Sequence, residues 1–176
     1  MNVFILNAGR CGSTTFIQAC RHITNFSAQH ESRVKLTGAQ RLAYPERHIE
    51  ADNRLSWLLG RLDERFGDDA YYVHLSRDLD TSAESFMRRA GFGIMRAYRE
   101  GVLLGAAEQS ERELAEDYLE TVNTNIALFL KDKTHRMNFS LENARRDFTR
   151  FWEWIGAEGD LPRALAEWQT RYNASA

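Results

Sequence analysis

The chain has 176 residues, 43% hydrophobic and 27% charged, with a formal net charge of -2; that suits a single domain with one full core and leaves too little chain for two. No basic run stands out, so general nucleic-acid binding is excluded as the expected role. The apolar N-terminal run is too short for a signal peptide or a membrane span, and the only cysteines, Cys11 and Cys20, sit in or near one predicted helix, so the expectation is a cytoplasmic protein with reduced thiols and no membrane partner.

Val3-Phe-Ile-Leu6 reads as a strand, and Asn7-Ala-Gly-Arg-Cys-Gly-Ser-Thr-Thr-Phe16 follows it directly. Phe16, Cys20 and Ile23 then mark one face of a helix from about Ser13 to about Ile23. Strand, glycine-bearing turn and helix start together form the layout of an anion site. Backbone N–H groups at a helix start lack intrahelical partners, and the helix dipole places partial positive charge there. Ser13 and Thr14 add hydroxyl donors, and Arg10 adds a fixed cation. The loop is not a Walker A motif: Gly9 and Gly12 lie too close together and no lysine follows. Such a loop suits one phosphate or sulfate better than three. The plainer alternative is an ordinary strand–helix turn with capping hydroxyls. Cys11 reads as a small turn residue, since no partner histidine is evident nearby.

Residues 24–47 look irregular, and His48-Ile-Glu-Ala51 forms a short strand. Leu55, Leu58, Leu59, Leu62 and Phe66 recur at helical spacing, stopped by Gly67-Asp-Asp69. Tyr71-Tyr-Val-His-Leu-Ser76 reads as a buried strand. Thr81 and Glu84 have capping-box spacing, which predicts a helix starting there. Residues 91–105, with four glycines, read as irregular or mobile. Ser110 and Glu113 give a second capping box before a long helix marked by Leu114, Tyr118, Val122, Ile126 and Phe129. Arg136–Ser140 is the last predicted strand, and an amphipathic helix from Leu141 to Ile155 follows. Asp160 and Pro162 open a final helix carrying Leu165, Trp168 and Tyr172.

Strands alternating with helices predict an α/β fold, a three-layer α/β/α single domain with a parallel, P-loop-like sheet. Ligands of such sheets sit at the carboxyl ends of the strands. The Arg10–Thr14 loop and the Arg77 turn then share one edge. Arg77 at a strand end and Ser85 one turn into the next helix are candidates for a second anion grip. Singly, each has a plainer reading: a surface ion pair of Arg77 with Asp78 or Asp80, and a small residue at a helix–sheet contact for Ser85.

Together, the two segments resemble the cofactor-binding pair of the sulfotransferases that use 3′-phosphoadenosine 5′-phosphosulfate (PAPS). That family has a strand–loop–helix similar to K-x-G-T-T for the 5′-phosphosulfate, and an R-D-x-x-x-x-x-x-S pattern for the 3′-phosphate. Here they appear as Arg10-Cys-Gly-Ser-Thr14 and as Arg77-Asp-Leu-Asp-Thr-Ser-Ala-Glu-Ser85. The resemblance has motif support over roughly the first ninety residues and rests on element order beyond Phe86. It implies a PAPS site made of Arg10, Cys11, Gly12, Ser13, Thr14, Thr15, Arg77 and Ser85. Arg10 stands where most members have lysine, a planar fork in place of a point charge. In the saccharide-modifying branch a glutamate about twenty residues beyond the loop takes the acceptor proton, and Glu31 falls there. His30 is the rival base, since the phenol-modifying branch uses histidine.

Two features depart from the family. Ala51 stands where the saccharide branch has lysine, and nothing matches the glycine-rich R-K-G segment with which the phenol branch also holds the 3′-phosphate. The reading is a sulfuryl transfer from PAPS to a hydroxyl or amine of a saccharide or small molecule, without a metal, since no metal-ligand cluster is visible. A P-loop-type nucleotide or small-molecule kinase and a non-catalytic nucleotide-binding module are the alternatives. Trp57, Tyr98, Trp152 and Trp154 are either acceptor-site aromatics or, at helical spacing, core. The oligomeric state is open.

Overall fold

The computed structural model describes residues 1–105, 108–170 and 172. Its centre is β1 (Val3–Leu6), every residue of which is fully buried. Period-two alternation sends Val3 and Ile5 to one face and Phe4 and Leu6 to the other. A strand apolar on both faces needs helices on both, and it gets them. The first layer holds α1 (Ser13–Cys20), α6 (Ala144–Trp154) and α7 (Leu161–Ala166). The other holds α2 (Leu59–Phe66), α3 (Leu79–Met87), α4 (Gly93–Ala97) and α5 (Glu111–Leu130). Phe16 of α1 anchors the first layer with aromatic contacts to Phe139, Phe148, Phe151 and Trp168. Fully burying such a ring contributes about 1.5–3 kcal/mol.

The remaining strands are β2 (Ser27–His30), β3 (His48–Ala51), β4 (Tyr71–Ser76) and β5 (Arg136–Ser140). They form one parallel five-stranded sheet in the order β2-β3-β1-β4-β5. The chain leaves β1 toward β2 on one side and leaves β4 toward β5 on the other. The order therefore reverses between the ends of β1 and β4, which opens a crevice there.

The expected three-layer α/β class is present, with local corrections. Residues 24–47 are not wholly irregular: they supply β2 and a 3-10 turn over Gly38–Leu42. The helix at Thr81 begins earlier, because the Asp78 carboxylate caps it and accepts the Thr81 N–H at 2.9 Å. Ser110 and Glu113 do form the expected capping box of α5. Residues 91–105 are not wholly irregular either: they hold α4 and a π-helical turn at Tyr98–Val102, pinned by buried Met95 and Tyr98. The Leu55 helix starts as a 3-10 turn at Asn53–Trp57. Asp160 caps α7, but the chain leaves the helix after Gln169, short of Tyr172. Among the described residues no helix is long and apolar enough to cross a membrane.

Candidate active site

The loop between β1 and α1 is held from behind. Ser56 donates to the Asn7 carbonyl at 3.0 Å, Tyr118 to the Ala8 carbonyl at 2.7 Å, and Arg77 to the Arg10 carbonyl at 3.3 Å. The buried Asn7 side chain accepts the Gly9 N–H at 2.9 Å. Three peptide oxygens are thus committed to protein donors. The loop backbone takes positive φ at Gly9 (97°), Arg10 (58°) and Gly12 (88°). Turns that join left-handed to right-handed residues point successive N–H groups to one side and make anion-binding concavities. Gly12 is also the N-cap of α1 and brings no side-chain cap, so the positive end of the helix dipole serves the same hollow. A Cβ at Gly12 would lie 2.7 Å from the Leu141 side chain, in a conformation already unfavourable for other residues.

The second segment closes on the first. Arg10 donates Nε–H to the Ser85 hydroxyl at 3.0 Å, across a sequence separation of 75. Residues of both motifs line one cleft of about 780 Å³, a volume typical of small-ligand sites. Burial lowers the pKa of Arg10, and repulsion from Arg89 and then Arg77 adds to that shift. The cleft is therefore a region of concentrated positive charge.

Of the residues singled out by sequence, Arg10, Gly12, Ser13, Thr14, Thr15, His30, Glu31, Arg77 and Ser85 line this cleft. Cys11 does not. Its side chain is buried in the core against α1, and desolvation pushes its thiol up to about 12. A thiol so protonated is no nucleophile at neutral pH, so Cys11 serves packing and the loop backbone.

His30 ends β2 and Glu31 follows it in the turn, each with a partner. His30 Nε2 lies 3.0 Å from the Ser13 hydroxyl, tying β2 to the start of α1. Glu31 pairs with Arg54 at 3.1 Å and has φ of 51°. A non-glycine residue in the left-handed region carries strain of order 1–3 kcal/mol, and such residues collect at working sites. The next residue shows how the turn is fixed. Ser32 donates both its N–H and its hydroxyl to fully buried Glu50, each at 2.7 Å. Glu50 is also 2.9 Å from His48 Nε2, whose other ring nitrogen is 2.7 Å from the Ser27 hydroxyl. Glu50→Ala strands the buried His48 ring, releases the Ser32 turn and is expected to destabilise the fold by about 3 kcal/mol. Urea unfolding with a lowered midpoint at unchanged slope is the check.

The aromatic candidates for an acceptor wall stand elsewhere. Trp152 is core, Trp154 packs on Tyr71, and Trp57 packs beside Tyr98 and Tyr118. None of the four lines the cleft; Trp168 and Tyr172 do.

No protein-family model matches the sequence, and no curated protein matches it significantly. Solved structures do resemble the fold. A sulfotransferase domain from the curacin biosynthetic pathway superposes with a TM-score of 0.63 at 15% identity, over 96% of this chain and 78% of that one. The fold is that of the sulfotransferases. Mouse sulfotransferase SULT7A1, solved in complex with PAP, matches with a TM-score of 0.60 at 11% identity, over 96% of this chain and 63% of its own. This chain thus spans less than two thirds of that second structure.

Within this sulfotransferase fold, sequence reasoning missed Asn53, Arg54, Arg88, Arg89 and Trp168 as cleft residues. Asn53 packs against Gly9, where an added Cβ would come within 2.9 Å of its amide. Only Arg89 carried a legible signal, a cation four residues beyond Ser85.

Proposed function

We propose that this chain is a sulfotransferase, transferring a sulfuryl group from PAPS to a hydroxyl or amine of a small molecule or saccharide. The observation that carries the reading is the hydrogen bond from Arg10 to Ser85, which unites two anion motifs in one cleft at the switch point of the sheet. A nucleoside with anionic groups at its 5′ and 3′ ends needs two cationic grips in one cleft, and these residues fit that demand. The 5′ end belongs to the loop from Arg10 to Thr15, and the 3′-phosphate to Arg77 and Ser85.

The chemistry needs little covalent help from the protein. An acceptor oxygen or nitrogen bonds to sulfur as the bond from sulfur to the 5′-phosphate oxygen breaks. The acceptor proton goes to Glu31, with His30 as the rival. Negative charge grows on the leaving phosphate, where Arg10 and the loop N–H groups stand. Positioning and preorganised electrostatics then supply most of the rate.

A kinase reading is weaker, because no lysine follows the loop to reach a triphosphate. A non-catalytic nucleotide-binding module is the second reading. Ala51 favours it: the position where the saccharide branch has lysine is fully buried and faces the core.

The test is ligand-dependent stability. 3′,5′-Bisphosphoadenosine at about 100 times its Kd is expected to add ~2.7 kcal/mol, raising Tm by roughly 5–10 °C for a chain of this size. ATP with magnesium is expected to do far less. Equal or greater stabilisation by magnesium-ATP reverses the choice in favour of the kinase.

A further inference from the structure

The cleft holds more positive charge than the two motifs account for. Arg10, Arg54, Arg77, Arg88 and Arg89 line it, against Glu31 and Glu84. Glu31 is committed to Arg54. Glu84 lies four residues before Arg88 on one helix stripe. Arg77 and Arg89 form no ion pair among the described residues.

Arg89 has a defined place. It follows Ser85 by four residues, and its N–H bonds the Phe86 carbonyl at 2.8 Å, which continues the turn of α3 past its last helical residue. Arg89 lines the same cleft as Ser85, which there accepts from Arg10. Repulsion between Arg89 and Arg10 is felt more strongly than that between Arg77 and Arg10. Three guanidinium groups thus line one concave surface, and one of them, Arg10, bonds the Ser85 hydroxyl. Such a gathering is unfavourable alone and becomes favourable when an anion of high charge enters.

We propose that Arg89 is a third ligand of the 3′-phosphate, reaching it from the turn after α3 alongside Arg77 and Ser85. The proposal rests on the PAPS reading above. A phosphate monoester offers three oxygens and nearly two charges, enough for a planar fork from each side as well as a hydroxyl. The 3′ site is thereby assembled from β4, α3 and the turn after α3.

The experiment is calorimetric titration of the full chain, Arg89→Ala and Arg89→Lys with 3′,5′-bisphosphoadenosine and with adenosine 5′-phosphate. Arg89→Ala is expected to weaken the bisphosphate about 10- to 100-fold, the range for a charge-assisted contact, and the 5′-phosphate by less than about threefold. Arg89→Lys keeps the charge without the fork and should fall between. Thermal melts of both variants confirm that they fold. If both nucleotides lose equally, Arg89 does not read the 3′ group and the proposal is overturned. If neither loses, it is likewise overturned, while the PAPS reading stands. If the unmutated chain binds no bisphosphate, the PAPS reading itself falls and takes this proposal with it.

Discussion

Glu31→Gln is expected to lower turnover by roughly 10²–10⁴-fold, the usual size of a general-base contribution, while leaving donor affinity nearly intact. The substitution keeps the shape of the side chain and its hydrogen bonding but removes the ability to take a proton. It also removes the ion pair with Arg54, in which the two side chains are 34% and 40% exposed. Partly exposed pairs of this kind are worth ~0.2–1 kcal/mol, too little to account for a hundredfold loss. Arg54→Ala is therefore the control, and it should cost only a few-fold in rate. His30→Ala should act differently. His30 holds the Ser13 hydroxyl at 3.0 Å, so its loss loosens the phosphate loop and is expected to show first in donor affinity. Full turnover in Glu31→Gln together with abolished turnover in His30→Ala reverses the assignment of the base. No effect from either leaves the reading of a binding module ahead.

The parts of this fold legible in the sequence are those where burial is continuous. β1 and β4 announce themselves by apolar runs, and α5 by a capping box and a long apolar stripe. β2 does not. It is an edge strand, Ser27-Ala-Gln-His30, with exposed and half-buried residues alternating and no apolar run to mark it. The start of α3 is a competition between two caps, and Asp78 wins because its carboxylate accepts both the N–H and the hydroxyl of Thr81. The site divides along the same line. The two candidate anion segments follow β1 and β4, so parallel order puts them at one sheet edge, and the pairing of β1 with β4 brings them together. The environments of His30, Glu31 and Ser32 depend on β2 lying beside β3 in register, Gln29 opposite Glu50. That pairing sets buried Glu50 beneath the turn, and no periodicity in the sequence reports it. The aromatic residues mislead for a related reason: Trp152 and Trp154 share a helix spacing with the core, while Trp168 reaches the cleft from beyond the end of α7.

Arg77→Ala is expected to weaken 3′,5′-bisphosphoadenosine by about 10- to 150-fold, the equivalent of about 1.5–3 kcal/mol for a charge-assisted contact. Adenosine 5′-phosphosulfate, which lacks the 3′ group, should lose less, but not nothing. Arg77 also donates to the carbonyl of Arg10 at 3.3 Å, and Arg10 sits in a left-handed conformation that its surroundings must hold. A long single bond of that kind contributes about 0.5–1.5 kcal/mol, so removing it should loosen the 5′ site by roughly 2- to 10-fold. The ratio between the two losses is the diagnostic. Arg77→Lys separates the two roles further. A lysine keeps the charge near the 3′-phosphate but cannot present a planar fork both to an anion and to a carbonyl. It should recover part of the bisphosphate affinity and little of the 5′-phosphosulfate affinity. Equal losses for the two ligands in Arg77→Ala, with no recovery in Arg77→Lys, would reduce Arg77 to a support of the loop. The 3′-phosphate site would then have to be built without it.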